Sequence, residues 1–357
     1  YVVDLDSLEK LSTRQEIHNA DIDPRGNAGS QVITTYTTDK DGLNEIVTSY
    51  QELTNRRFDS RGNVLNQKIV RYLDSTRLVT VDAQEIRSSG FSASGVARSQ
   101  VIATFTDSTF LELVDIKVVA NNVIDLQGNV YESVVTTYER GAIASDGGAI
   151  TPDGSTYLDK KVITVAEGQF DPRGNALTQV IETYYLDELG VERLYETQGI
   201  NNNPDGLPRA FDFHDYNYHS SITTTFTDYK PDGSIETFVQ RQEIYTTSSY
   251  DYYGNAIDQK IFLYDDVGGL IEFKTIHNIY DYTTASAAKG NAAHTTIIKY
   301  ASFSGTGADA VGTEKIERQE IYNDVFTLRG DVEDQRIETY VVDLDSLEKL
   351  STRQEIH

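Results

Sequence analysis

An acidic residue, two variable residues and then Gly-Asn recur along this 357-residue chain, and this recurrence limits what the chain can fold into. The clearest copies are Asp23 to Gly26-Asn27, Asp59 to Gly62-Asn63, Asp171 to Gly174-Asn175 and Asp251 to Gly254-Asn255. Weaker copies centre on Gly95, Gly128, Gly290 and Gly330, and a degenerate one places Tyr216 where the glycine stands, followed by Asn217. Spacings run from 33 to 46 residues. A second repeat encloses the first. Residues 1–18 return letter for letter as 340–357, an offset of 339, and nine units fill that period. Identity over eighteen residues reads as one full period plus an overlap of a longer periodic polymer. The expected organisation is therefore one continuous array over 1–357, continuing past both ends, with Tyr1 in the same column as Tyr340.

Other columns support the alignment. Ten residues after each anchor stands an aromatic: Tyr36, Tyr72, Phe105, Tyr138, Tyr184, Phe226, Tyr264, Tyr300 and Tyr340. Seven after it stands Ile33, Ile69, Ile102, Val135, Ile181, Thr223, Ile261, Ile297 or Ile337. Five after it, six units carry glutamine and the others Ser133, Ser221 or Thr295. A Gln-Glu-Ile element follows later, as in Gln15-Glu16-Ile17, Gln51-Glu52-Leu53 and Gln319-Glu320-Ile321.

These columns read as paired strands. Gln31–Thr38 is rich in β-branched and aromatic residues. Asp/Gly clusters such as Asp39–Gly42 and Asp187–Gly190 supply the hairpin turn, and a second strand such as Glu45–Leu53 follows. The Gly-Asn segment then turns the chain back, because both residues tolerate left-handed backbone. Side chains alternate between strand faces, so the isoleucine column lines one face and the aromatic column packs along the other, with Tyr184 expected to be buried. The longest tip, Arg140–Tyr157, is expected to be a surface loop. Leu5–Glu16 holds the residues most compatible with helix, and its latter part aligns with strands.

The expected fold is all-β: tandem hairpins in a wound antiparallel sheet forming a hollow tube or shell. Eighteen strands per period span roughly 86 Å at about 4.8 Å per strand, and sheets that wide coil or close. A parallel β-solenoid with one unit per coil is the alternative.

Tyr250–Asn255 with Tyr264–Leu270, and the stretches Phe58–Leu65 and Phe170–Leu177, resemble the tyrosine–aspartate (YD, Rhs-type) repeat. The resemblance covers the repeat region through a short motif. It implies a long antiparallel sheet wound into a shell or tube in a large secreted or cell-surface protein, and a toxin-encapsulating shell is one role it suggests.

Composition narrows function. The net charge of −25 opposes a nucleic-acid partner, since phosphate binding draws on Lys and Arg. No apolar run approaches the ~20 residues of a membrane-spanning helix. Cys, Met and Trp are absent, which suits a long-lived exposed material. With 38% apolar residues, 23 of the whole being tyrosine, each unit buries only a thin strip.

Candidate sites are few. Asp39, Asp41 and Glu45 cluster like calcium ligands but lack a calcium-loop spacing, so a solvated turn is the expectation, with surface calcium as the one weak cofactor candidate. His214, Asp215 and His219 share an aromatic segment, yet a spacing of five puts the histidines on opposite faces. No Gly-x-Ser-x-Gly elbow occurs. The chain is expected to be no enzyme and to need no cofactor. A structural segment of an extracellular filament, sheath or tube, partnered by further copies of itself, is the leading function. An adhesin stalk or carbohydrate-contacting surface is the alternative.

Overall fold

The computed structural model describes residues 2–3, 9–144, 147–208, 210–230, 232–247, 250–327, 330–342 and 347–356. The expectations for Tyr1 and for residues 5–8 lie outside them. The remainder of Leu5–Glu16 enters strand at Glu9–Lys10 and Thr13–Ile22. Strand accounts for 62% and helix for 3%, so the all-β expectation holds. The one α-helix among the described residues, Ala285–Ala288, is a single turn.

Nineteen strands form one antiparallel sheet in which sequence neighbours pair as hairpins, and it does not close into a barrel. Antiparallel pairing throughout rules out the parallel solenoid. Each hairpin joins a strand such as Ala28–Thr38 to one such as Glu45–Phe58, and the Asp-x-x-Gly-Asn turn leads to the next, Val64–Tyr72.

The isoleucine column forms a cross-strand ladder on one face: Ile17 opposite Ile33, Leu53 opposite Ile69, Ile86 opposite Ile102, Ile244 opposite Ile261. It is mostly half-buried, and Ile17 is 49% exposed. The aromatic column occupies the other face, and a bulge recurs beside it. In eight of the nine hairpins the register slips by one residue at the aromatic: at Tyr36, Tyr72, Phe105, Tyr138, Tyr184, Tyr264, Tyr300 and Tyr340. The extra residue lies on the partner strand, for example Thr48 or Val81. A bulge bends its strand and raises local twist, so a row of them along one line of the sheet coils it.

The coil brings distant units together. Thr38, at the tip of the first hairpin, lies 3.1 Å (Oγ1) from His214 Nε2, 176 residues on. Lys10 Nζ stands 5.3 Å from the Phe213 ring centroid. Asp74, in the second tip, shares a cleft with Tyr253 of the seventh unit. Arg71 and Asp82 share one with Lys289 of the eighth. The tip edge of the first units therefore meets the turn edge of units five or six further along.

The core is local, not continuous. Tyr50, Val70, Tyr72, Ala83, Ala103, Phe105 and Ile116 pack on the aromatic face beneath Ile143 and Ile150. Those two residues belong to a small hairpin, Gly141–Ile143 with Ile150–Pro152, inside the longest tip. The surface-loop expectation for Arg140–Tyr157 is thus corrected: the tip folds back and supplies core. Fully buried Ala83 and Ala103 leave the space it fills. A second cluster joins Phe262, Phe273 and Ala310 with Phe303 and Tyr300, again under a folded-back tip.

Elsewhere the aromatic column is half-exposed, and Tyr184 is among those half-exposed residues. At four of these positions the residue opposite is a cation. Arg14, Lys160, Arg241 and Arg318 face Tyr36, Tyr184, Tyr264 and Tyr340 and lie 3.8, 4.5, 4.5 and 4.1 Å from the ring centroids. A cation over a ring keeps its head in water. Tyr50 and Ala83, opposite Tyr72 and Phe105, do not, and those aromatics are buried.

The identical segments pair through opposite edges. Gln15 pairs with Thr35 of the unit that follows it, and Gln354 pairs with Ile337 on the first strand of its own hairpin. Gln51, the equivalent residue inside the sheet, does both, pairing with Ile33 and with Arg71.

Candidate functional site

The recurring turn explains itself residue by residue. Asp59 Oδ1 accepts the amides of Arg61 and Asn63 at 2.8 and 2.9 Å, and Oδ2 accepts Asn63 Nδ2 at 2.8 Å. Asp23 with Asn27, Asp171 with Asn175 and Asp251 with Asn255 repeat the pattern. Gly26, Gly62, Gly174 and Gly254 take φ between +85° and +91°. The residue before the glycine ties one turn to the next: Arg25 donates to Asp59 O, Arg61 to Ser92 O and Phe91 O, and Arg173 to Asp212 O and Phe211 O. The turns so form a row along one edge of the sheet.

The degenerate unit is displaced by one residue from the sequence alignment. Asp212 Oδ1 accepts His214 N and Tyr216 N, and Asp215, not Tyr216, occupies the glycine position with φ +66°. Its columns shift accordingly. Ile222, not Thr223, faces Ile200 in the ladder. Ser220, not Ser221, reaches Asn202 Oδ1 at 3.1 Å. Phe226 therefore lies on the isoleucine face, and its hairpin is the one without a bulge.

A column of asparagines was not read from the sequence. Asn55 donates to Ala28 O and to Gln31 Oε1 and accepts from Gln67 Nε2, and Asn121, Asn278 and Asn323 repeat the carbonyl contact at Ala97, Ala256 and Ala292. The glutamine column serves this ladder: Gln31 donates to Asn19 and Gln335 to Asn323. The signal was present, since asparagine stands four residues after glutamine in Gln15–Asn19, Gln51–Asn55 and Gln319–Asn323.

The coil creates a cleft with binding geometry. A cleft of about 720 Å³ opens between the first two hairpin tips and the turn row of the sixth and seventh units. Thr38, Asp39, Lys40, Leu73 and Asp74 line one side, and Asp212, His214, Tyr216, Tyr250, Tyr253 and Tyr282 the other. The tyrosines are locked by their neighbours. Tyr218 Oη donates to Asp212 Oδ2 at 3.0 Å, and Tyr282 Oη to Asp251 Oδ2 at 3.1 Å. Tyr216 and Tyr250 rings are 4.6 Å apart, and Tyr253 and Tyr282 lie near-parallel at 6.0 Å. Burial, then the nearby Asp251 carboxylate, pushes the Tyr282 phenol up to about 12. Burial raises Tyr216, Tyr250 and Tyr253 as well, so the cleft presents neutral rings.

The other sequence candidates are held apart. His214 meets Thr38, while His219 bridges Asp205 and Glu243 at 2.7 and 3.0 Å and stacks on Tyr245. Asp39 accepts the amides of Asp41 and Leu43, and its carboxyl is held below the usual range by the Leu43 amide first. Glu45 pairs with Arg14, and Asp41 with Lys40. Among the described residues no group of three or more His, Asp or Glu side chains is arranged to hold a metal ion. No helix among them is long and apolar enough to cross a membrane.

Neither a family model nor a curated protein matches the chain.

Proposed function

We propose that the chain is a structural segment of an extracellular filament, sheath or tube, built by continuing its wound sheet from one 339-residue period into the next. Its partner is itself, and no catalytic activity or cofactor enters this reading. The observation that carries it is the pairing of the identical segments. Gln15 and Gln354 each make one of the two pairings that Gln51 makes, so superposing the copies yields an ordinary interior strand. A sheet satisfying that condition continues without a seam. The resemblance to YD repeats and the absence of Cys, Met and Trp support a cell-surface or secreted setting. An adhesin-like stalk carrying a ligand is the second reading, favoured by the tyrosine cleft.

The test is electron microscopy of one period beside a tandem of two. Continuation gives a tube of unchanged diameter and doubled length. Two separate particles on a flexible link would sink the proposal.

A further inference from the structure

We infer that the cleft between the first two hairpin tips and the sixth and seventh turns binds an organic cation, an alkylated ammonium on a small apolar body. Four carboxylates line it, Asp39, Asp74, Asp212 and Asp251, against one lysine, Lys40, and one histidine, His214. The rings of Tyr216, Tyr250, Tyr253 and Tyr282 share the wall with them. Ring faces carry negative quadrupole potential, and the carboxylates reinforce it.

Hydrogen-bonding capacity separates a cation from a sugar. A sugar needs carboxylate lone pairs free to accept its hydroxyls. Here Asp251 has committed all of its roughly four acceptor sites, and Asp39 and Asp212 have each committed three. Asp39 holds the amides of Asp41 and Leu43 and Asn44 Nδ2. Asp212 holds the amides of His214 and Tyr216 and the Tyr218 hydroxyl. Asp251 holds the amides of Tyr253 and Asn255, Asn255 Nδ2 and the Tyr282 hydroxyl. Their charge still acts across the cleft, but few of their acceptor positions are left for a sugar's several hydroxyls. A methylated ammonium needs no acceptor: it needs ring faces and a negative field. Fixed turns on both sides hold the rings in place, so little is lost in ordering the site.

The experiment titrates the purified chain with choline and with its neutral isostere, 3,3-dimethylbutan-1-ol, by calorimetry, with methyl glucoside as competitor. Choline should bind at least about tenfold more tightly than the isostere, and raised salt should narrow that gap. Tyr253→Ala should weaken choline by about fivefold or more. Asp74→Asn keeps the Oδ1 acceptor that Thr76 uses and removes only the charge, so it should weaken choline about two- to threefold with strand content unchanged. This second variant carries the test if Tyr253→Ala loosens the coil. Equal binding of choline and isostere, no binding of choline at about 20 mM, or displacement by methyl glucoside would overturn the inference.

Discussion

The α-carbon of Gly62 stands against the side chain of Asn27 in the preceding turn: a β-carbon there would lie 2.8 Å from Asn27 Oδ1. Asn27 cannot swing away, because its Nδ2 is bonded to Asp23 Oδ2 at 2.8 Å. Gly26 has the same backbone, φ +86°, with nothing within 4 Å of that point. The pair separates two costs. Gly26→Ala should lose about 1–2 kcal/mol from the left-handed backbone alone. Gly62→Ala should lose about 1 kcal/mol more, through displacement of Asn27. Urea melts of the two variants measure the difference, and equal losses would mean the turns do not support one another.

The aromatic column should divide by what stands opposite each ring. Tyr72, 7% exposed in the first core cluster, should cost about 3–5 kcal/mol on change to Ala. Tyr36, stacked with Arg14 at the surface, should cost about 1 kcal/mol. Native-state hydrogen exchange of the two variants checks both size and spread, and damage from Tyr72→Ala should stay near its own and adjacent units.

Glu85 should anchor the folded-back tip. It accepts from Arg56 at 2.7 and 2.8 Å and from Arg87 at 2.9 Å, while Arg87 Nε donates to Gly148 O at 2.7 Å. Burial acts to raise its carboxyl, and the bonds from Arg56 and Arg87 together outweigh that and hold it low. Glu85→Ala leaves two cations beneath the tip and should cost about 3 kcal/mol. Limited proteolysis should then cut between Ile143 and Ile150, whereas the wild-type tip resists. A variant cut no faster would place the tip's support elsewhere.

The turn aspartates should weaken with acid. The Asn63 side chain and amide hold the Asp59 carboxyl below its ordinary range, and Asn27 does the same for Asp23. A folded pKa below the unfolded value of about 3.9 contributes stability that is fully present above that value. It is lost as the pH falls through 3.9 towards the folded pKa. Protonation also relieves the repulsion of a chain at −25, so the informative quantity is the difference from Asp59→Asn. That difference should be constant from about pH 7 to 5 and shrink below about pH 4. A difference independent of pH down to 3 would contradict the role of the Asp59 charge.

Local chemistry was legible from the sequence. Asp23 to Asn27 closes its turn within five residues, and Ile17 finds Ile33 through one hairpin, so spacing and alternation suffice to locate both. The degenerate unit shows the limit of the same reasoning. Tyr216-Asn217 imitates Gly-Asn by letter, yet the amides that bond Asp212 put Asp215 in the left-handed position. Asp tolerates that backbone better than Tyr does, which favours this register.

The sequence by itself determined the repeating strands, the Gly-Asn turns between them and the two faces, because each depends on residues close along the chain; the antiparallel pairing, against a parallel solenoid, was decided by the structure. Only the tertiary structure decided which aromatics are buried, that the Ile143–Ile150 tip supplies core, and where the tyrosine cleft opens. Tyr72 and Tyr36 share a column, and burial separates them through what lies opposite and above. Thr38 meets His214 because bulges accumulated over intervening hairpins set the pitch of the coil. Small twists added over ten strands fix where distant edges meet, and no single unit's sequence contains that sum.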